Sequence, residues 1–269
     1  MSEHQEFSRQ DYYPNFAPYY DQIFDAVATD RNKIFNVTRQ LIENMIPKPL
    51  TMLDLGTGTG GLLKEFRDDI EILVGLDSSS DMLEVAKTKL PEAEFIEGDM
   101  SDFNLDRKFD VIVCMFDAIN HLKDIDRWEG LFASASRHLN RGGQFIFDTH
   151  TIASLSRLVT YKDGLSWPVG DGLYNYKARR SGLLLNEIIA DFSLRPDTHD
   201  QVTNEITGQI REITFPLQEI RTRAAIHLHP LTSLDLNLAS SLNKNGADFA
   251  SDTSLRAMFV YTNKKETST

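Results

Sequence analysis

Five residues within Thr51–Leu63, "TMLDLGTGTGGLL", could do chemistry together: Asp54, Gly56, Gly58, Gly60 and Gly61. Glycines clustered after a short apolar run let a chain turn sharply from strand to helix. They also let its backbone approach a ligand with no Cβ in the way. Two spacings overlap. Gly56, Gly58 and Gly61 read G-x-G-x-x-G, the dinucleotide fingerprint. Asp54, Gly56, Gly58 and Gly60 read D-x-G-x-G-x-G, which sets a carboxylate beside the loop. A tight turn that binds nothing would have the same composition.

Asp77 ends "ILVGLD", the next apolar run. A carboxylate there can accept both hydroxyls of an adenosine ribose, a group common to dinucleotides and to S-adenosylmethionine. Asp77 therefore points to a nucleoside without choosing between them, and taken alone it could be a helix cap. Three features choose. Asp54 suits the ammonium and sulfonium charges of S-adenosylmethionine and would repel a pyrophosphate, which needs a helix N-terminus free of competing anions. "EGDM", Glu97–Met100, offers an acid for the adenine amino group and a methionine for the ring. "CMFDAINHL", Cys114–Leu122, offers backbone carbonyls, an acid, an amide and an imidazole where a methyl group would be presented.

The elements that must position these residues follow from periodicity. A helix is expected from Asp30 to Asn44, with Ile34, Val37, Leu41 and Ile42 at helical spacing and "IPKPL" as its stop. From Thr51, strands ("TMLDLG", "ILVGLD", "AEFIEGD", "FDVIVCMF", "GGQFIFDTH") alternate with helices ("GGLLKEFRD", "SSDMLEVAKTKL" capped by Ser79 or Ser80, and "DIDRWEGLFASASRHL" with Leu131, Ala135 and Leu139 on one face). That rhythm predicts a parallel sheet covered by helices on both sides, in one α/β doubly wound domain. After Thr151, "GLYNYKARRS", "LLLNEIIADFSL", "TNEITGQIREITF" and "RTRAAIHLHP" read as antiparallel strands, with "RPDTHD" as a turn. Ile188, Ala190, Phe192 and Leu194 form the apolar face of the second. "TSLDLNLASSLNKNG" reads as a final helix and "LRAMFVYTN" as a final strand. The expected division is a helical cap over 1–50, a nucleoside-binding domain over 51–154 and 231–264, and an antiparallel β insertion over 155–230.

Composition narrows the partners. The chain has 269 residues, a formal net charge of −12 and one cysteine, Cys114. An acidic surface repels phosphate backbones and anionic headgroups, so neither nucleic acid nor membrane is the expected partner. No apolar run approaches the ~20 residues that span a bilayer. A disulfide within the chain is excluded, and a polar, acidic N-terminus reads as no secretory signal, so a cytoplasmic location is expected.

Taken together, "LDLGTGTG", "GLDSSSDMLEVA", "EGDM" and "FDVIVCMFDAINHL", in this order, resemble the motifs of class I S-adenosylmethionine-dependent methyltransferases. The resemblance implies a seven-stranded sheet of order 3-2-1-4-5-7-6 with strand 7 antiparallel. It implies S-adenosyl-L-methionine as cofactor, with Asp54, Gly56, Thr57, Gly58 and Gly60 at the methionine end. Asp77 would take the ribose, with Asp99 and Met100 at the adenine; Ser78, Met82 and Met115 complete the expected cofactor-binding set. "YYDQIFD", the "MFDAINHL" loop and a β-rich insertion after "FDTHT" are similar to small-molecule N-methyltransferases of the sugar-amine and glycine type. In those, the N-terminal aromatic segment and the insertion close over the substrate.

Methyl transfer is an in-line displacement by a lone pair, so the protein supplies proximity, orientation and an uncharged nucleophile. His121 or Asp117 could take a proton from an amine or orient its nitrogen, and Tyr20 could bond the acceptor. His150 occupies a similar place after the fifth strand. For each, a cap or packing role is the competing reading. Trp167, Tyr174 and Tyr176 read either as an aromatic pocket for a cationic amine or as sheet core. His227 and His229 stand H-x-H but lack a nearby acid or cysteine cluster, so no metal is expected. The expected function is methyl transfer to a nitrogen of a small-molecule acceptor. The alternatives are an O-methyltransferase on a small hydroxylated metabolite, an NAD-dependent oxidoreductase, and a non-catalytic protein retaining the cofactor fold. A homodimer is left open.

Overall fold

A computed structural model describes residues 16–28, 30–181, 186–196, 205–236 and 254–263. Two helices come first, α1 (Tyr20–Val27) and α2 (Arg31–Glu43). The alternating region follows: β1 (Thr51–Leu55), α3 (Gly61–Glu65), β2 (Ile72–Asp77), α4 (Ser80–Lys89), β3 (Glu94–Glu97), β4 (Phe109–Cys114), α5 (Ile125–His138) and β5 (Leu139–His150). Helix α6 (Ile152–Leu158) leads into β6 (Leu165–Val169), β7 (Gly172–Arg180), β8 (Glu187–Arg195) and β9 (Ile206–Ile213). The chain ends on α7 (Leu217–His227), β10 (Leu228–Asp235) and β11 (Arg256–Asn263).

The main sheet has the order β10-β11-β5-β4-β1-β2-β3. β11 runs antiparallel to β5, while β1, β2, β3, β4 and β5 pair in parallel. Counting only these seven strands, that is the expected 3-2-1-4-5-7-6. The continuous apolar runs explain it: Leu53, Val74, Val111, Ile112, Val113 and Ile146 are all fully buried, as a strand covered on both faces requires. A helix layer on each side completes two cores, one around Trp128, Phe132, Phe147 and Phe259 and the other around Ile34, Val37, Met52 and Leu63. Ser79 is the α4 cap, accepting from the Met82 N–H at 3.3 Å.

The second sheet, β6-β7-β8-β9, is wholly antiparallel. Ile188, Ala190, Phe192 and Leu194 form its buried face, as their alternation predicts. The sequence reading did not find β6. Its Pro168 suits only an edge strand, and the edge is where β6 lies.

Four local readings are corrected. "RTRAAIHLHP" is not a strand: Leu217, Ile220 and Ala224 recur at helical spacing, all are buried, and Pro216 starts α7. Thr232–Asp235 begins no helix; it pairs with β11, with Thr232 opposite Val260 and Leu234 opposite Met258. Thr232 and Ser233, which as residue types could cap a helix, are drawn into the strand by that pairing. The rest of the expected helix lies outside the described residues, as do most of "RPDTHD" and the first 15 residues. Leu139 starts β5 instead of ending a helix. His227 closes α7 while His229 is in β10, so the two histidines do not share a strand.

Candidate functional site

One large cavity, of about 1050 Å³, opens at the carboxyl ends of β1, β2 and β4 between the main sheet, the N-terminal helices and the inserted sheet. A doubly wound sheet places its ligands there. Of the residues expected from the sequence, Asp54, Gly56, Thr57, Gly58, Asp77, Ser78, Met82, Asp99, Met100 and Met115 line it, with Tyr20, Asp117 and His121. Gly60 does not line the cavity; it shapes the turn behind it.

The loop geometry separates the two glycine spacings. Gly56, Gly58 and Gly60 have φ of +71°, +54° and +75°, a region that residues with a Cβ adopt only under strain. At Gly56 an added Cβ would also lie 2.8 Å from that of Ala118. Gly61, the third glycine of the dinucleotide fingerprint, has an ordinary φ and open space around it. The constrained set is D-x-G-x-G-x-G. The turn is held from β2, where the Leu76 carbonyl accepts the N–H groups of Gly56 at 2.8 Å and Thr57 at 3.1 Å.

Three carboxyl groups stand at three strand ends. Asp54 is 3 % exposed and accepts one bond, from the Thr57 hydroxyl at 2.8 Å. Burial pushes its pKa up to about 7; Thr57 opposes the shift and the nearby Asp77 adds to it. Asp77 accepts the N–H of Gly58 at 2.8 Å on one oxygen and that of Ser79 at 2.9 Å on the other. Those bonds aim the carboxylate across the loop. Asp99 accepts the Ser101 N–H and hydroxyl at 2.8 and 2.7 Å and pairs with Arg127. Burial opposes its ionisation, but those donors outweigh it and hold it below the usual carboxylate range.

The β4 loop is strained. Phe116 and Asp117 lie consecutively at φ +58° and +56°. Two non-glycine residues there cost about 1–3 kcal/mol each, and such strain concentrates at functional sites. The Phe116 ring meets those of Phe24 and Phe35 edge-on at 4.9 and 5.1 Å, which ties the loop to the N-terminal helices. Asn120 is fully buried; it donates to the Ile213 carbonyl at 2.8 Å and accepts from Thr149 and the His150 N–H, both at 3.0 Å. It joins loop, main sheet and inserted sheet.

Beyond that loop, the far end of the cavity holds residues that sequence reasoning missed. Arg256, at the start of β11, bonds Asp117 at 2.8 Å and Asp30 at 3.1 Å, and pairs with Asp148. It also lies 2.8 Å from His150 Nε2, which must accept from it; His150 Nδ1 then donates to Glu212 of β9 at 3.0 Å. Asp117, His150 and Glu212 have ligand atoms close enough for a metal ion, but the guanidinium already bonds two of the three. No spacing signals this cluster, because its six members come from five separate segments. Burial raises the Tyr20 phenol well above its ordinary value, with Asp117 and Asp77 adding to it, so Tyr20 stays protonated. Tyr176 is raised for the same first reason.

Residues 52–143 match the family model described as a methyltransferase domain. A dTDP-3-amino-3,4,6-trideoxy-α-D-glucopyranose N,N-dimethyltransferase of Streptomyces venezuelae is 36% identical over 108 residues, 40% of this chain and 46% of that protein. A dTDP-3-amino-3,6-dideoxy-α-D-glucopyranose N,N-dimethyltransferase of Streptomyces fradiae is 35% identical over 42% of this chain and 44% of that protein. The chain thus spans about half the length of these curated relatives. Among solved structures, an S-adenosylmethionine-dependent methyltransferase from Clostridium acetobutylicum superposes with a TM-score of 0.75 at 21% identity, covering 93% of this chain and 99% of that one. A sugar N-methyltransferase from Streptoalloteichus superposes with a TM-score of 0.68 at 18% identity over 91% and 93%. In fold, and in the sequence of the sheet's first half, the chain is similar to class I S-adenosylmethionine-dependent methyltransferases.

Proposed function

We propose that the protein transfers a methyl group from S-adenosylmethionine to a nitrogen of a small-molecule acceptor. The observation that carries this reading is Asp54, a buried carboxyl beside the glycine loop with a pKa near 7. A cation docking there would recover the cost of burying it, and a pyrophosphate would raise that cost. When bound, the sulfonium supplies an electrophilic methyl carbon. Asp54 and the Gly56–Gly60 turn hold the methionine end, Asp77 the ribose, and Asp99 and Met100 the adenine edge and face.

The acceptor lies between the β4 loop and the inserted sheet, which serves as a lid. Its nitrogen must present a lone pair, so a side chain must orient it and receive a proton. His121, half-buried on the cavity wall, is the residue for that step. Asp117 is engaged by Arg256 and acts by fixing the loop, and protonated Tyr20 acts as a donor. The test is transfer of labelled methyl groups to a panel of amines by wild type and by His121→Ala. Turnover should fall about 10²-fold or more with little change in cofactor affinity. Unchanged turnover on a methylated amine would remove His121 from the mechanism.

A further inference from the structure

The two curated relatives named above act, by their names, on amino sugars carried by dTDP, a nucleoside diphosphate. The acceptor end of this cavity has the wrong charge for that. Three carboxylates on the cavity wall, Asp30, Asp117 and Glu212, and the fully buried Asp148 behind them surround one guanidinium, Arg256, and the His150 ring that accepts from it. Every hydrogen-bonding edge of Arg256 faces one of these groups, so it is already neutralised. Among the described residues, the other Arg and Lys side chains lining the cavity are also placed elsewhere. Arg31 pairs with Asp25 and packs over the Phe24 and Phe35 rings, Arg127 pairs with Asp99 at the adenine end, and Lys123 is exposed on the stretch leading to Arg127.

The inserted sheet adds an aromatic wall beside Glu212. Trp167, Tyr174 and Tyr176 of β6 and β7 line the same cavity, with Trp167 and Tyr174 centroids 6.1 Å apart. The Tyr176 hydroxyl reaches Glu212 at 3.5 Å, so the aromatic wall and the carboxylate are adjoining. Carboxylates and ring faces together favour a compact cation and disfavour an anion.

Building on the methyl-transfer reading, we infer that the acceptor is a free amine, bound first as its ammonium between Glu212, Asp117 and the Trp167–Tyr176 wall, and that it carries no phosphate. This differs from the nucleotide-linked acceptors of the relatives. The ammonium gives up its proton to His121 on the same cavity wall before its lone pair attacks the methyl carbon, and the sulfonium leaves as the neutral thioether.

The test uses full-length protein saturated with S-adenosylhomocysteine and calorimetric titration with defined probes. These are methyl 3-amino-3-deoxyglucoside, 1,4-diaminobutane, phenethylamine and thymidine diphosphate. At least one amine should bind saturably and thymidine diphosphate should not. Glu212→Gln, which keeps the side-chain shape, should weaken that amine roughly tenfold or more. Asp117→Asn is the second variant, should the first fold poorly. Saturable binding of thymidine diphosphate overturns the inference, as does binding of no amine, or amine binding indifferent to both variants. If S-adenosylhomocysteine itself does not bind, the methyl-transfer reading fails instead, and that is read before any acceptor probe is added.

Discussion

The two ends of the cavity are built in opposite ways. The proposed nucleoside end is assembled at strand ends, each carrying its own short motif: Asp54 at the end of β1 with the glycines after it, Asp77 ending β2, Asp99 and Met100 after β3. Each carboxylate takes its bonds from neighbours in the loops: Asp77 from Gly58 and Ser79, Asp99 first from Ser101. The acceptor end is assembled from single residues at positions 30, 117, 148, 150, 212 and 256, joined through one buried arginine. Local construction keeps a cofactor site intact while the rest of the chain varies. Long-range construction ties the acceptor site to the docking of the N-terminal helices and the inserted sheet. The two ends should therefore fail differently when altered.

The largest effect is expected at the long-range end. Arg256→Met leaves Asp117, Asp148 and Asp30 without their shared cation. Removing one partner from a buried ionic network costs about 3–5 kcal/mol, so thermal unfolding should shift down strongly. A variant melting like wild type would mean that the two ends are not built differently in energy. At the local end, Asp77→Ala should leave stability nearly intact while weakening cofactor binding by about 1.5–3 kcal/mol, the worth of charge-assisted bonds to the ribose hydroxyls. An unchanged dissociation constant in the folded variant would remove Asp77 from the site.

Asp54 adds a pH signature. In the folded apo protein its carboxyl holds a proton up to about pH 7, against about 3.9 for an ordinary aspartate. Between those values the unfolded chain binds fewer protons than the native one, so this group's contribution to stability falls as pH rises from about 4 to 7. A cation bound beside it prefers the ionised form. Cofactor affinity should therefore rise from pH 6 to pH 8, by at most about tenfold per unit, with proton release below pH 7. Calorimetry in buffers of different ionisation enthalpy reads both, and Asp54→Asn should flatten the profile. A flat wild-type profile would contradict the buried, protonated apo state.

The smallest contrast lies within the loop. Gly56→Ala meets Ala118 and a φ of +71°, and should lose about 1–3 kcal/mol. Gly61→Ala has free space and an ordinary φ, and should be neutral or stabilising by about 0.4–1 kcal/mol. Equal damage at both would restore the dinucleotide spacing.

The same contrast explains what the sequence disclosed. Strand and helix alternation over residues 51–150 carried the main sheet, because buried parallel strands need unbroken apolar runs and their loops need glycines and caps. The proposed cofactor residues sit in or beside those loops, so they were legible together. The exchange of α7 and β10 was not, since "RTRAAIH" has mixed propensity and Thr232–Asp235 becomes a strand only by pairing with β11. Glu212 and Arg256 carried no local signal; each is one charged residue in a strand, and only the fold brings them to His150.

The central claim is that the D-x-G-x-G-x-G loop binds a cationic nucleoside and not a dinucleotide. Calorimetric titration of the purified protein with S-adenosylmethionine, S-adenosylhomocysteine and, in parallel, NAD tests it directly. The account predicts saturable binding of the first two and none of NAD. Binding of NAD alone would make Gly56, Gly58 and Gly61 the working set after all and would contradict the role given to Asp54.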